Sequence, residues 1–286
     1  VKPLALLFFA LAPVPAAATF TMSVAPLQAI CQEIAARPSD CQRLLSPGVS
    51  PHTYEPRPRD LKEASKAKAL FYVSPLLDEW ATKLPVTKRF AVIDWLPKEL
   101  RLHMEHGHEH GGDHDHEEGV DPHFWLDPLA VKAIVPKLAA AFCELDAKEC
   151  KTYEDNAKRF AASLDELHKE LEATLAPVRG AAFLVYHPFL GYLVQRYGLK
   201  QIGAIEVAPG KEPTPRYLKD MITLVKTAKA RAIVVSPEIP TSAARAVAEA
   251  AGVRLAVVDD LGGTPGRERY ADLLRHDARV LVESLK

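Results

Sequence analysis

Residues 151–175 read KTYEDNAKRFAASLDELHKELEATL, and this stretch decides the architecture. Tyr153, Ala157, Phe160, Leu164, Leu167, Leu171 and Leu175 recur at spacings of three and four, which is the repeat of one helical face. Charged residues fill the other faces, no Gly or Pro interrupts the run, and Pro177 and Gly180 close it. At 3.6 residues per turn the helix has about seven turns, long enough to run along two domains. On both sides of it the pattern changes to short β-branched runs alternating with amphipathic segments. Before it, strands are predicted at 20–24, 69–73 and 90–93, with helices opening at Pro26 and spanning 59–66, 76–83 and 129–145. After it, strands are predicted at 181–186, 201–207, 232–236 and 254–258, with helices at 190–197, 215–230, 242–251 and 267–285. Apolar runs such as Ile233-Val234-Val235 suit parallel strands buried on both faces. The predicted fold class is α/β: two Rossmann-like lobes, 19–147 and 178–286, each a parallel sheet flanked by helices, joined by one long rigid helix within 148–177.

Composition bounds what such a chain can do. Its 286 residues suffice for two domains, and 48% apolar with 26% charged residues is globular rather than disordered. The net charge of −1 gives no field to attract nucleic acid or an anionic membrane, so nucleic-acid binding is set aside. Lys2, the apolar run from Leu4 to Ala12, Pro13, Pro15 and the small residues Ala16 to Ala18 read as a secretory signal peptide over 1–18. That run is shorter than the roughly 20 apolar residues needed to span a bilayer. Export permits disulfides, and Cys31, Cys41, Cys143 and Cys150 allow three pairings. The local one, Cys31–Cys41 with Cys143–Cys150, closes two short loops and is the one expected; no pair has C-x-x-C spacing.

Three histidines share a setting. His52 follows Pro51, His123 follows Pro122, and His187 precedes Pro188, each where a strand or turn meets a loop. Proline fixes φ and restrains its neighbour, so these backbones are stiff. Stiff loops at the C-terminal ends of strands are where open α/β sheets bind ligands, and neutral imidazole is the commonest protein metal ligand. Any one of them is equally readable as a satisfied structural histidine; the repeated setting makes them a set. A second metal feature is the insert 102–119, where His103, His106, His108, His110, His114 and His116 interleave with Glu105, Glu109, Asp113, Asp115, Glu117, Glu118 and glycines. Such a composition cannot bury a core and predicts a solvated accessory loop with weak metal sites. His168, on the polar side of the long helix, and His276, in a charged stretch, carry no such pattern.

The motifs SPGVSPHTYEPRPRDL (46–61), DPHFWLDP (121–128), YEDNAKRF (153–160), VYHPFLGYLVQRYGL (185–199) and VVDDL (257–261) make the mature chain resemble the metal-specific periplasmic solute-binding proteins of bacterial ABC importers, in particular the zinc-binding branch. The resemblance implies His52, His123 and His187 as ligands and a carboxylate of the last motif as the fourth. That role falls on Asp259, with Asp260 as its rival. Two departures stand out: Ser50 replaces a frequent Asp before Pro-His, and Asp260 stands where Pro is common. The manganese branch tends to place Glu at the third ligand position; His187 occupies it here, and three imidazoles with one carboxylate favour Zn2+ over the oxygen-preferring Mn2+. Glu55 and Asp121 stand next to ligands and are candidates to accept an imidazole N–H, with Asp127 and Glu206 behind them and Glu238 either lining the cleft or forming a surface contact. The implied protein is a monomeric periplasmic receptor. It captures one Zn2+ tightly between its lobes, with weaker sites on the insert, and delivers it to an ABC permease and its ATPase. Four protein ligands close the shell and suit handover rather than catalysis. The alternatives are a free-standing periplasmic zinc chaperone or buffer, a manganese-binding relative, and a zinc hydrolase, for which no H-E-x-x-H is present.

Overall fold

The computed structural model describes residues 20–103, 119–239 and 241–286. The expected signal segment 1–18 and His106, His108, His110, His114 and His116 therefore lie outside the described residues. In chain order the elements are β1 (Phe20–Met22), α1 (Ala25–Ile34), β2 (Cys41–Arg43), α2 (Pro58–Ala64), β3 (Ala69–Tyr72), α3 (Pro75–Asp78), β4 (Arg89–Ala91), α4 (Pro128–Leu145) and α5 (Cys150–Leu175). They continue with β5 (Ala182–Val185), α6 (Gly191–Tyr197), β6 (Lys200–Ala204), α7 (Pro215–Thr227), β7 (Ala232–Val235), α8 (Ser242–Ala251), β8 (Arg254–Val257) and α9 (Tyr270–Leu285). No helix among the described residues is long and apolar enough to cross a membrane.

Both sheets are parallel and have four strands, in the orders β2-β1-β3-β4 and β6-β5-β7-β8. Each chain segment lays its second strand on one side of the first and its third on the other. The C-terminal strand ends at that reversal open a crevice, the usual ligand position in such sheets. The two central strands of the C-terminal sheet, β5 and β7, are buried on both faces, as their apolar runs require. Phe183, Val185, Ala232 and Val234 face the core under α5, while Ala182, Leu184, Ile233 and Val235 face Val225, Val247 and Ala248 of α7 and α8. Alternate residues of a strand point to opposite faces, so one apolar run serves two layers.

All seven stripe residues of α5 are buried. The helix packs on α1 and α4 on one side and on α9 on the other. Tyr153 meets the rings of Phe20 and Phe142, Phe160 meets Tyr270, and Asn156 Nδ2 donates to the carbonyls of Ile34 and Ala35 at the end of α1. One apolar cluster consequently runs without a break from Phe20 through α5 to Leu285. The long helix is a shared wall of both sheets' cores, not a rod between separate ones.

Both expected disulfides are present. Cys31–Cys41 ties α1 to β2, and Cys143–Cys150 ties the end of α4 to the start of α5. Strand β2 lies outside the predicted strands: its three residues read as part of the cysteine turn, and its place beside β1 comes from the bridge and the register Phe20↔Cys41. The strand predicted at 201–207 ends at Ala204, although the Ile205 and Glu206 amides still donate to the Val185 and Tyr186 carbonyls. Those two bonds bring Glu206 alongside the end of β5.

Candidate metal centre

His52 sits in a 3-10 turn, Pro51–Thr53, between β2 and α2. The indole of Trp80 donates to the Pro51 carbonyl at 3.1 Å, and Tyr54, stacked edge-on against Trp80, donates its hydroxyl to Asp60. His123 precedes the turn Phe124–Leu126 that leads into α4. His187 stands two residues past the end of β5, in the crevice of the C-terminal sheet. The three rings converge: His52 and His187 have centroids 4.8 Å apart, His123 and His187 5.5 Å, and His52 and His123 5.7 Å. One ring nitrogen of each lies within 4.8 Å of the others.

Each of two rings is aimed by what holds its far side. Asp121 Oδ1 accepts from the His123 backbone N–H at 2.9 Å and lies 2.8 Å from its Nδ1. Glu206 Oε2 lies 2.6 Å from His187 Nδ1, and its other oxygen accepts the Gly210 N–H at 2.9 Å. A carboxylate on Nδ1 fixes that nitrogen as the donor and leaves Nε2 bare for a metal. The Nε2 atoms of His52 and His187 are buried with no hydrogen-bond partner among the described residues. A buried ring nitrogen without a partner is costly, and it marks a position waiting for one. Burial, reinforced by repulsion from His123 and His187, pushes the His52 imidazole down to about 3, so it is neutral and ready to donate its lone pair.

The fourth wall is acidic, formed around Glu238, Asp259 and Asp260. Asp259 Oδ1 accepts the Leu261 and Gly262 amides at 3.2 and 2.8 Å, its Oδ2 pairs with Arg267 Nε at 2.7 Å, and one of its oxygens lies within 4.8 Å of oxygens of Glu238 and Asp260. Asp260 lines the cavity, with Oδ1 accepting from the Ser236 hydroxyl at 2.6 Å. Burial raises the Asp260 carboxyl above its usual range, while the Ser236 hydrogen bond and His187 oppose the rise. Burial and the Asp260 charge push Glu238, also on the cavity wall, up to about 7. The cavity bounded by His52, His187, Asp260, Glu238, Pro209 and Gly210 holds about 40 Å3. That is room for one water-sized occupant, such as an ion.

The remaining sequence candidates fall into separate places. Asp121 and Glu206 stand behind ligand rings. Glu55 is exposed on the chain leaving the 3-10 turn and is not brought to any imidazole; three residues from His52, it has already turned to solvent. Asp127 caps α4 through Leu129 N and accepts from Arg196 Nε and Nη2 at 2.9 and 2.6 Å. His168 lies against the Tyr197 hydroxyl and His276 against Arg267, both away from the cavity. His103 forms a bridge with Val120 at the base of the insert. Sequence reasoning gives no role to Gly191, yet a Cβ there would stand 2.7 Å from Asp121 Oδ2, so its lack of a side chain admits the carboxylate that aims His123. Ser236 also reaches the cavity without a sequence signal, since nothing in its local pattern marks it.

Comparison with known proteins places this geometry in context. The family described as "Zinc-uptake complex component A periplasmic" matches residues 21–284. The chain is 27% identical over 294 residues to the high-affinity zinc uptake system protein ZnuA of Yersinia pestis, covering 95% of this chain and 92% of that protein. It is 26% identical over 261 residues to the zinc-binding protein AdcA of Streptococcus pyogenes, covering 86% of this chain but 51% of that protein, so it spans about half the length of that relative. Among solved structures, a crystal structure of ZnuA superposes with a TM-score of 0.80 at 28% identity, covering 95% of this chain and 100% of that one.

Proposed function

This chain belongs to the family of the periplasmic component A of zinc-uptake complexes, and from that membership we propose that it captures Zn2+ outside the cytoplasm and hands it to an ABC permease. The observation that carries the reading is the convergence of three imidazoles, with a ring nitrogen of each within 4.8 Å of the others; His52 and His187, whose buried Nε2 atoms are bare, also line a cavity of about 40 Å3. His52, His123 and His187 are the nitrogen ligands, and Asp260 supplies the carboxylate. An N3O set suits tetrahedral Zn2+ better than Mn2+, which prefers oxygen. The chain's own groups do the rest. Asp121 and Glu206 hold two rings in the ligating tautomer, and a cation relieves the crowding of Asp260 and Glu238. A closed four-ligand shell favours holding and release over turnover. The cavity's size supports the same reading, because an ion fits it and a peptide or ester does not. His103 and the histidines of the insert are proposed as accessory weaker sites that collect zinc near the cleft.

The test is growth. A strain lacking this chain should fail on a zinc chelator, and added zinc should restore it. Restoration by the plasmid-borne chain should require a permease partner; restoration without any permease would favour a free-standing zinc buffer. Restoration by manganese in place of zinc would contradict the metal assignment.

A further inference from the structure

The segment that carries His123 precedes α5 in the chain but is fastened to elements beyond α5. Trp125 is fully buried, and its indole Nε1 donates to the Asp260 carbonyl at 2.6 Å. The Trp125 carbonyl in turn accepts the Tyr270 hydroxyl of α9 at 2.7 Å. Two residues on, Asp127 Oδ2 accepts from Nε and Nη2 of Arg196 in α6. At the other end, Asp121 packs onto Gly191 of α6, and the Trp125 ring stands edge-on to His123 with centroids 5.3 Å apart. The segment 121–127 is thus held from three directions by groups of the C-terminal lobe. The ties of the His52 turn stay inside the N-terminal lobe: Trp80 holds Pro51, and Asp60 holds Tyr54. To the C-terminal lobe that turn makes no hydrogen bond among the described residues, and it meets that lobe through the His52 ring, edge-on to His187 with centroids 4.8 Å apart.

We propose that Trp125 is a positioning residue of the metal centre: its hydrogen bond to the Asp260 carbonyl binds the His123 segment to the C-terminal side, so that His123 is carried on one body with His187 and Asp260, and His52, alone from the N-terminal loop, closes the site. This rests on the reading of the cleft as a zinc site. One hydrogen bond then fixes two ligands at once, the ring of His123 through its neighbour and the carboxylate of Asp260 through its own backbone. Preassembled ligands cost little to order when the cation arrives. The lone N-terminal ligand is the one whose bond forms last on capture and breaks first on release. Metal exchange accordingly runs through the side of the cavity between Pro51–Thr53 and Pro209–Gly210.

The test is a pair of double-mutant cycles read by Zn2+ and Co2+ affinity in competition with a chromophoric chelator. Trp125→Phe keeps an aromatic ring and removes the indole donor. It should weaken binding by about 10–100-fold, the range for losing a group that orients a ligand. That loss should persist in full in the His52→Ala background and shrink in the His123→Ala background, where only the hold on Asp260 is left to lose. His52→Ala should still bind Co2+, with the absorption of a site that has gained a solvent ligand, whereas His123→Ala should bind more weakly than His52→Ala. Equal Trp125→Phe losses in both backgrounds, or no loss in a protein whose metal-free far-UV spectrum is intact, would overturn the assignment. So would His52→Ala proving as damaging as His123→Ala. If Trp125→Phe does not fold, Tyr270→Phe removes the tie on the opposite side of the same residue and should give a smaller loss with the same dependence on background. Wild-type protein that bound neither metal would instead defeat the zinc reading itself.

Discussion

The two sheets share one strand order and serve the centre differently. In the C-terminal sheet the strands themselves present the site: His187 comes two residues after Val185, Glu206 two after Ala204, Ser236 one after Val235 and Asp260 three after Val257. The N-terminal sheet has strands of three or four residues, and its ligand His52 stands nine residues beyond Arg43, on a loop held by prolines and Trp80. The C-terminal lobe is sandwiched between two apolar clusters. The N-terminal lobe is stapled by Cys31–Cys41. Strand ends position ligands through the sheet's own hydrogen bonds, whereas a loop needs separate anchors. Disturbing the C-terminal strand ends should therefore damage stability or metal binding selectively, residue by residue, and disturbing the N-terminal anchors should loosen the lobe.

The largest effect is expected at Asp259, where Asn breaks a buried pair with Arg267. Such a loss costs about 3–5 kcal/mol. Asp259→Asn should show a much lower urea midpoint with zinc ligation by the surviving fold retained, and Asp260→Asn the reverse. If Asp260→Asn lowered the midpoint and spared zinc affinity, the assignment of the two acids would have to be exchanged. Next comes the N-terminal staple. Replacing Cys31 and Cys41 by Ser should cost roughly 2–3 kcal/mol for a loop of this length. Zinc affinity should change less than stability, which urea unfolding and metal competition on the same variant would separate. Third, Glu206→Gln should weaken zinc by about 10–100-fold, as expected for a group behind a ligand, whereas exposed Glu55→Gln should leave it unchanged. Equal effects of the two would remove the distinction between a residue at a strand end and one on a loop.

The fourth prediction is a pH dependence. His52 is held near 3 in the folded chain, below the reference value of about 6.5. Between those values the unfolded chain binds the proton and the folded one does not. The stability contributed by His52 is thus fully present above about 6.5 and is lost as pH falls toward 3. The stability of metal-free wild type relative to His52→Ala should decline from pH 7 to pH 4, and the His52 ring should still be neutral by NMR at pH 5. A ring that protonated near 6.5 would mean that the three imidazoles are not packed together in solution.

Much of this is legible in the sequence because it is periodic. The stripe from Tyr153 to Leu175 depends on nothing but helix geometry, and all seven residues are buried. The central strands of the C-terminal lobe, β5 and β7, are apolar runs buried on both faces, which leave a strong local signal. Strand β2 is hidden, because three residues carry no alternation and their partner is set by a disulfide. The three histidines are visible through the prolines beside them. The choice between Asp259 and Asp260 is not, since it turns on which neighbour faces the cavity at the end of β8, a matter of Arg267, Ser236 and Trp125 arriving from distant parts of the chain. Glu206 shows only faintly for the same reason: its partner His187 lies 19 residues away, across a strand pair.

The most direct test of the central claim is an anomalous difference map, collected at the zinc absorption edge, from crystals of the zinc-loaded protein. The account predicts one strong peak between the lobes, at bonding distance, about 2.0–2.2 Å, from the imidazoles of His52, His123 and His187 and from a carboxylate oxygen of Asp260. A principal peak elsewhere, or one at this place ligated by Asp259 with Asp260 turned away, would contradict it.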